Sequence, residues 1–294
     1  MAGGGSALQP IIRAQTTPRT RPAVGTRLRM EGSLVVIQRD GLVTFGGDGP
    51  PIVLLHGLMG RATTWWRVAR RLEPYGRVHG LDARGHGRGP RGGPWRTERF
   101  ADDVAEVLRT FGEPAVLIGH SMGGLHAWVT AATYPELVRA VVCEDFAPDQ
   151  RGRTVDTWRG YFESWPVPFR SLAHVREFFG GTGDYFIECV EEREDGYHLI
   201  ASLPDLYEIA AEWGRRDFWE FVERVECPLL AIEGERTAMP HGQQAELAAR
   251  VPGGLGRHIV VQGAGHVVHD EAPETYLGAV EAFLSDVIGQ PFAS

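Results

Sequence analysis

Of the eight serines in this 294-residue chain, Ser121 is the one whose neighbours suit a nucleophile. It stands in Gly119-His120-Ser121-Met122-Gly123, a G-x-S-x-G pattern. Glycines two before and two after the serine permit a sharp strand-to-helix turn that presents a hydroxyl outward. With 38 glycines in the chain the pattern alone is weak, and its context must carry it. The apolar run Ala115 to Ile118 leads in as a strand, and residues 122–133 lead out as a helix. The competing reading is an ordinary Gly-rich turn with a capping serine.

A serine hydroxyl attacks a carbonyl only with a base in hydrogen-bonding reach and donors for the developing oxyanion. Eleven histidines are present, so the base is chosen by placement. His266 ends Gly263-Ala264-Gly265-His266, a small-residue loop after the run His258 to Val261, and is the favoured base. His269, three residues on, competes with it and reads better as a loop-stabilising or pocket-rim residue. His120 is expected to project away, because such an elbow presents only the serine outward. For the oxyanion, His56-Gly57-Leu58-Met59-Gly60 follows the run Ile52 to Leu55 and can offer the backbone N–H of Leu58. The N–H of Met122, at the start of the helix after the nucleophile, is the second donor. His56 itself reads as a structural histidine.

The elements that must position these groups alternate along the chain. Strands are expected at 33–38 and 41–45, forming an opening hairpin, and then at 52–55, 78–81, 115–118, 138–143, 229–232 and 258–261. Helices are expected between them at 62–73, 97–111, 122–133, 241–250 and 273–288. Short, continuously apolar strands indicate a mostly parallel sheet covered on both faces, an α/β architecture. Residues 148–221 break the rhythm and hold 15 of the 28 aromatic residues. They read as an inserted helical cap (lid), with helical pieces at 171–179 and 205–221, between core segments 31–147 and 222–294. Most of the cap aromatics glue small helices together. A minority drawn from Trp158, Phe162, Trp165, Phe178, Phe179 and Tyr185 is expected to line a substrate pocket. Residues 1–30, with Gly3-Gly4-Gly5-Ser6 and scattered prolines, read as a disordered leader.

Composition narrows the function classes. All 30 basic residues are arginine, against 38 acids, for a net charge of -8, which argues against a nucleic-acid surface. The absence of lysine fits a coding bias better than a selected surface. No apolar stretch approaches a membrane span or the hydrophobic region of a signal peptide. Cys143, Cys189 and Cys227 are odd in number and widely spaced, which suits neither a disulfide framework nor a metal site and points to a reducing compartment, the cytoplasm.

Taken jointly, HGLMG at 56–60, DARGHG at 82–87, GHSMGG at 119–124 and GAGHVVHDEAP at 263–273 resemble the α/β-hydrolase superfamily over nearly all of residues 33–290. The resemblance implies an eight-stranded, mostly parallel sheet, a Ser, acid, His order along the chain, and no required cofactor or metal. Asp82 to Gly87 would be a structural loop. In most relatives the acid follows the strand equivalent to Leu229–Ile232, in G-x-x-D; here Gly234-Glu235-Arg236-Thr237 puts a threonine in that slot. Some members place the acid one strand earlier, 24 residues past the nucleophile, where this chain has Asp145. Glu144 and Glu235 are the alternatives. This placement is similar to a subgroup of short-chain esterases and acyl-CoA thioesterases with the acid after the sixth strand.

The expectation is therefore a serine hydrolase that cleaves a carboxylic ester or thioester through an acyl-enzyme on Ser121, with His266 as general base and acid and Asp145 as the triad acid. A small molecule is the expected partner, with no nucleic acid or membrane. Lactone opening, carbon–carbon bond hydrolysis or lysis on the same fold, and a non-catalytic hydrolase-like ligand receptor remain alternatives. Asp-nucleophile dehalogenases and epoxide hydrolases are disfavoured because position 121 is serine.

Overall fold

Apolar runs separated by amphipathic helices become one twisted sheet in the computed structural model, which describes residues 26–30, 33–37, 41–153 and 155–290. Three strands open it: β1 (Thr26–Met30), β2 (Ser33–Ile37) and β3 (Leu42–Gly46). Strands and helices then alternate as β4 (Pro51–Leu55), α1 (Trp66–Leu72), β5 (Arg77–Leu81), α2 (Thr97–Leu108), β6 (Ala115–His120), α3 (Met122–Thr133) and β7 (Val138–Glu144). A long intervening segment carries α4 (Val155–Glu163), α5 (Leu172–Phe179), α6 (Gly183–Ile187), β8 (Val190–Arg193), β9 (Gly196–Leu199), α7 (Leu203–Trp213) and α8 (Trp219–Val222). The chain then returns to the sheet through β10 (Leu229–Gly234), α9 (Gln243–Arg250), β11 (Gly256–Val261), α10 (Val268–Glu271) and α11 (Pro273–Ile288).

The strand order is β1-β2-β3-β5-β4-β6-β7-β10-β11. β1, β2, β3 and β5 are joined by antiparallel pairings, and every pairing from β5 through β4 to β11 is parallel. Successive side chains of a strand face opposite sides, and here each side finds its own core. Val53, Leu55, Leu117 and Val141 pack with Phe100, Leu108, Leu125 and Trp128 of α2 and α3. Ile52, Leu54, Ile118 and Val142 pack on the other face with Val68 and Leu72 of α1 and Tyr276 and Phe283 of α11. Burial on both faces is why these strands read as continuous apolar runs, and each fully buried large side chain contributes roughly 1.5–3 kcal/mol. The loops after β4, β6, β7, β10 and β11 all leave the same edge of the parallel sheet, where open α/β sheets gather ligands.

Three expectations need correction. The leader was expected to run through residue 30, but Thr26–Met30 pairs antiparallel with Ser33–Ile37; residues 1–25 lie outside the described residues. Among the described residues the sheet accordingly has nine strands rather than eight. The segment 148–221 is not purely helical: β8 and β9 form a hairpin, and the helix expected over 205–221 is two, α7 and α8, separated at Gly214. Among the described residues no helix is long and apolar enough to cross a membrane.

Candidate active site

β6 ends at His120 and α3 begins at Met122, so Ser121 alone makes the reversal, with φ at 52°. A serine in this left-handed region costs about 1–3 kcal/mol and persists only where its surroundings impose it. They do: Ser121 N–H donates to the Glu144 carbonyl at 2.7 Å, and the Ser121 carbonyl accepts from Gly124 N–H at 2.8 Å. The flanking glycines are required by contact distances. A Cβ on Gly119 would sit 2.2 Å from the Gly123 carbonyl oxygen, and one on Gly123 would sit 2.1 Å from that of Leu55. Gly124 is likewise pressed against the sulfur of Cys143, where a Cβ would come within 2.8 Å. Burial pushes that thiol far up, so Cys143 is an inert packing residue.

The loop after β11 brings His266 to the elbow. Its Nε2 lies 3.0 Å from Ser121 Oγ and its Nδ1 lies 2.7 Å from Asp145 Oδ2. With Nδ1–H donating to the carboxylate, Nε2 carries a lone pair directed at the Ser121 hydroxyl, an arrangement able to accept its proton. Asp145 follows β7 directly, is fully buried, and also has a positive φ, 51°. Burial alone would raise its pKa, but hydrogen bonds from His266, Gln244 and Thr237 together with the charge of His266 outweigh it, and the carboxyl is held below its ordinary range. Oδ1 accepts from Gly234 N–H at 3.1 Å and Gln244 Nε2 at 3.0 Å, and Oδ2 accepts from Thr237 Oγ1 at 2.8 Å. The threonine in the usual acid slot thus donates to the acid on the neighbouring strand. Glu235 is exposed and accepts from Gly263 N–H at 2.8 Å, away from the imidazole.

The two expected oxyanion donors can be followed through their peptide planes. The Gly57 carbonyl accepts from His56 Nδ1–H at 2.7 Å and from Gly60 N–H at 2.9 Å, so the trans peptide turns Leu58 N–H the opposite way. Gly57 lies beside Ser121: a Cβ there would lie 3.4 Å from Ser121 Cβ. The Ser121 carbonyl is drawn into α3 by Gly124 and Leu125, which leaves Met122 N–H directed out of the helix N-terminus. Among the described residues neither N–H has another acceptor. His56 is structural, as expected: its Nε2 accepts from Ala83 N–H at 3.0 Å. The Asp82–Gly87 loop is structural too, with Asp82 accepting from Ala62 N–H and Arg88 N–H at 2.6 and 2.8 Å.

Comparison with known proteins gives the family. A family profile described as the alpha/beta hydrolase fold matches residues 50–173. The sn-1-specific diacylglycerol lipase of Danio rerio is 38% identical over 263 residues, covering 81% of this chain and 79% of the relative. The chain belongs to the α/β-hydrolase family. Esterase YbfF of Escherichia coli is 28% identical over 252 residues, covering 81% of this hydrolase and 94% of the esterase. The crystal structure of E-2-(acetamidomethylene)succinate hydrolase superposes with a TM-score of 0.75 at 24% identity, covering 89% and 99% of the two chains.

In this α/β-hydrolase a cavity of about 440 Å³ opens over Ser121 and His266. Of the aromatics expected to line it, Trp158, Phe162, Trp165 and Tyr185 do so. Phe178 and Phe179 do not. Phe178 packs partly exposed against Phe169, and Phe179 stacks on Phe186 at 3.8 Å, so the second ring supports the wall from behind. Phe146, Phe186 and Trp213 line the cavity without having been singled out in the sequence. Phe146 sits in the run after β7, one residue past Asp145, which was the signal available for it.

Behind the Ser–His–Asp chain lies a second acid–imidazole pair. Glu144, turned to the other side from Asp145, accepts from the ring and the backbone N–H of His269, each at 2.9 Å. Burial would raise this carboxyl, yet the nearby imidazoles, His269 first and then His120, bring it below the usual range. His269 stacks on Trp65 at 4.3 Å and does not reach Ser121, so it is a buried support rather than a rim residue. His120 departs from expectation: its ring borders the cavity, and its Nε2–H donates to the His266 carbonyl at 2.9 Å. The residue before Ser121 therefore fixes the backbone of His266.

Proposed function

We propose that this α/β-hydrolase is a serine hydrolase that cleaves a carboxylic ester or thioester in two acyl-transfer steps. The observation that carries the reading is the continuous chain from Ser121 Oγ through His266 to Asp145, with links of 3.0 and 2.7 Å, at the floor of an apolar cavity. Its similarity to an esterase and a lipase supports the same class.

In this mechanism Ser121 Oγ attacks the acyl carbon while His266 Nε2 takes its proton. Asp145 stabilises the imidazolium and keeps Nδ1 protonated. The tetrahedral oxyanion is held by the N–H groups of Leu58 and Met122, each such donor contributing roughly 3 kcal/mol to the transition state. His266 returns the proton to the leaving alkoxide or thiolate, which departs. A water deprotonated by His266 then opens the acyl-enzyme and releases the acid. The inserted segment 148–221 acts as a cap whose rings cover the substrate chain. The three cysteines, all buried and free, fit a cytoplasmic protein.

A p-nitrophenyl ester and acyl-CoA chain-length series on wild type and Ser121→Ala tests the reading. Wild type turns over at least one series repeatedly, and Ser121→Ala abolishes it together with fluorophosphonate labelling. Labelling that persists in Ser121→Ala would refute the nucleophile, and a single slow turnover with every ester would favour a ligand receptor instead.

A further inference from the structure

The cavity over Ser121 is walled mainly by rings and aliphatic chains, and among the described residues lining it Arg153 is the one permanent cation. The acidic residue that also lines the cavity, Glu271, is already engaged. That carboxylate accepts from Gly265 N–H at 2.9 Å and Val267 N–H at 3.3 Å and lies 3.4 Å from Arg236. Arg153 donates through one nitrogen to the Ala238 carbonyl, and among the described residues no carboxylate pairs with it. Arg170 and Arg215 of the inserted segment likewise pair with no carboxylate among the described residues, but neither lines the cavity, and several others are engaged. Arg151 is held by Asp149 and Asp217 at 2.7 and 3.2 Å, Arg176 by Asp184 at 2.7 Å, and Arg216 by Glu98 and Glu212 at 2.9 and 3.2 Å.

The anchor of Arg153 also places it. Ala238 lies between Thr237, whose hydroxyl is bonded to Asp145, and Met239, whose N–H donates back to Thr237 Oγ1 at 3.0 Å. The guanidinium is thus fastened to the turn that holds the triad acid, on a wall adjoining the reacting atoms. A guanidinium has five N–H donors in a planar fork that suits a carboxylate. Arg153 is exposed, so the donors not used by Ala238 face solvent at the cavity wall and are open to a ligand carboxylate.

We propose that Arg153 is a specificity-determining residue that pairs with a carboxylate at the far end of the acyl chain, so that the preferred substrates are half-esters or half-thioesters of dicarboxylic acids. The inference rests on the serine-hydrolase reading of Ser121 and names its substrate class. Trp158, Phe162 and Trp165 would cover the carbon chain between the two ends. Hydrolysis adds water across the acyl C–O or C–S bond and releases the alcohol or thiol and a dicarboxylate. One guanidinium matches one such remote charge.

The test compares mono-p-nitrophenyl glutarate with neutral p-nitrophenyl pentanoate on wild type, Arg153→Gln and Arg153→Lys. The ratio of kcat/KM for the anionic over the neutral ester is expected to fall about tenfold or more in Arg153→Gln, the low end for a charge-assisted hydrogen bond, and to recover in part in Arg153→Lys. A second readout needs no turnover: monomethyl glutarate is titrated into Ser121→Ala and Ser121→Ala/Arg153→Gln, following the tryptophans that line the cavity. Weaker binding in the double variant by the same factor supports the anion site even if wild type hydrolyses neither ester, in which case only the hydrolase reading fails. Ser121-dependent turnover with neither ratio nor binding altered by Arg153→Gln overturns the anion site alone.

Discussion

Acidification from about pH 7.5 to 5.0 should destabilise this protein through its buried imidazoles. Burial lowers His79 to about 4 and His120 and His126 to about 3, whereas a histidine in an unfolded chain titrates near 6.5. Below that value the unfolded chain takes up protons that the folded chain refuses, so stability falls as pH falls. By linkage each of the three loses about 2 kcal/mol over this interval, and together they lose about 6, against a total of about 5–15 for a typical domain. His56 and His86 shift in the same direction and steepen the loss. Asp145 and Glu144 act in a lower window. Their carboxyls are held below the ordinary range, so their contribution is intact above about pH 5 and disappears as pH falls through and below about 4. The interval between about 6.5 and 5.0 therefore reports on the imidazoles. Urea midpoints read by tryptophan fluorescence across this range measure the slope. His126→Gln removes a titrating ring stacked on Phe100 and should flatten that slope by up to about 1.4 kcal/mol per pH unit. A midpoint that is constant from pH 7.5 to 5.0, or an unchanged slope in His126→Gln, would refute the reasoning.

Ester turnover by Asp145→Asn should fall roughly 10³–10⁴-fold because the imidazole loses its preferred tautomer and its counter-charge, while Glu235→Gln stays near wild type; steady-state kcat of both variants decides between them. Glu144→Gln leaves His269 without its carboxylate in a sealed site and should cost roughly 3 kcal/mol or more, read as a drop in Tm. Gly123→Ala drives a Cβ into the Leu55 carbonyl and should abolish soluble folded protein, whereas Gly278→Ala, on α11 with open space around it, should raise stability by about 0.5–1 kcal/mol in urea titrations.

The parallel half of the sheet was legible because strands buried on both faces cannot disguise their apolar runs. Ser121 and His266 were legible because the elbow and the small-residue loop impose residue types as well as spacing. β1 was hidden because Thr26-Arg27-Leu28-Arg29-Met30 interleaves arginine with apolar residues, and the β8–β9 hairpin because Glu191, Glu192 and Arg193 carry no apolar pattern. The cap rings show why composition stops short of a pocket. Phe178 and Phe179 are as apolar as Phe162, and which of them faces the cavity depends on how α4 packs on α7 and α5 on α6, rotations that the aromatic content of the segment does not encode. The Glu144–His269 pair was present in the sequence only as two competing candidates for the triad, and its meaning emerged once strand alternation had sent neighbouring acids to different imidazoles.

The hydrogen bond from Thr237 to Asp145 means that two strand ends converge on a single point beside the base. A negative charge placed at the end of either β7 or β10 would address the same imidazole nitrogen, so the acid's position along the chain is degenerate in space. Moving it from one strand to the next requires no rebuilding of the loop that carries His266. On the proposed mechanism, the scaffold can exchange the origin of its acid through a hydroxyl-bridged arrangement such as the present one, without two carboxylates ever having to share the site.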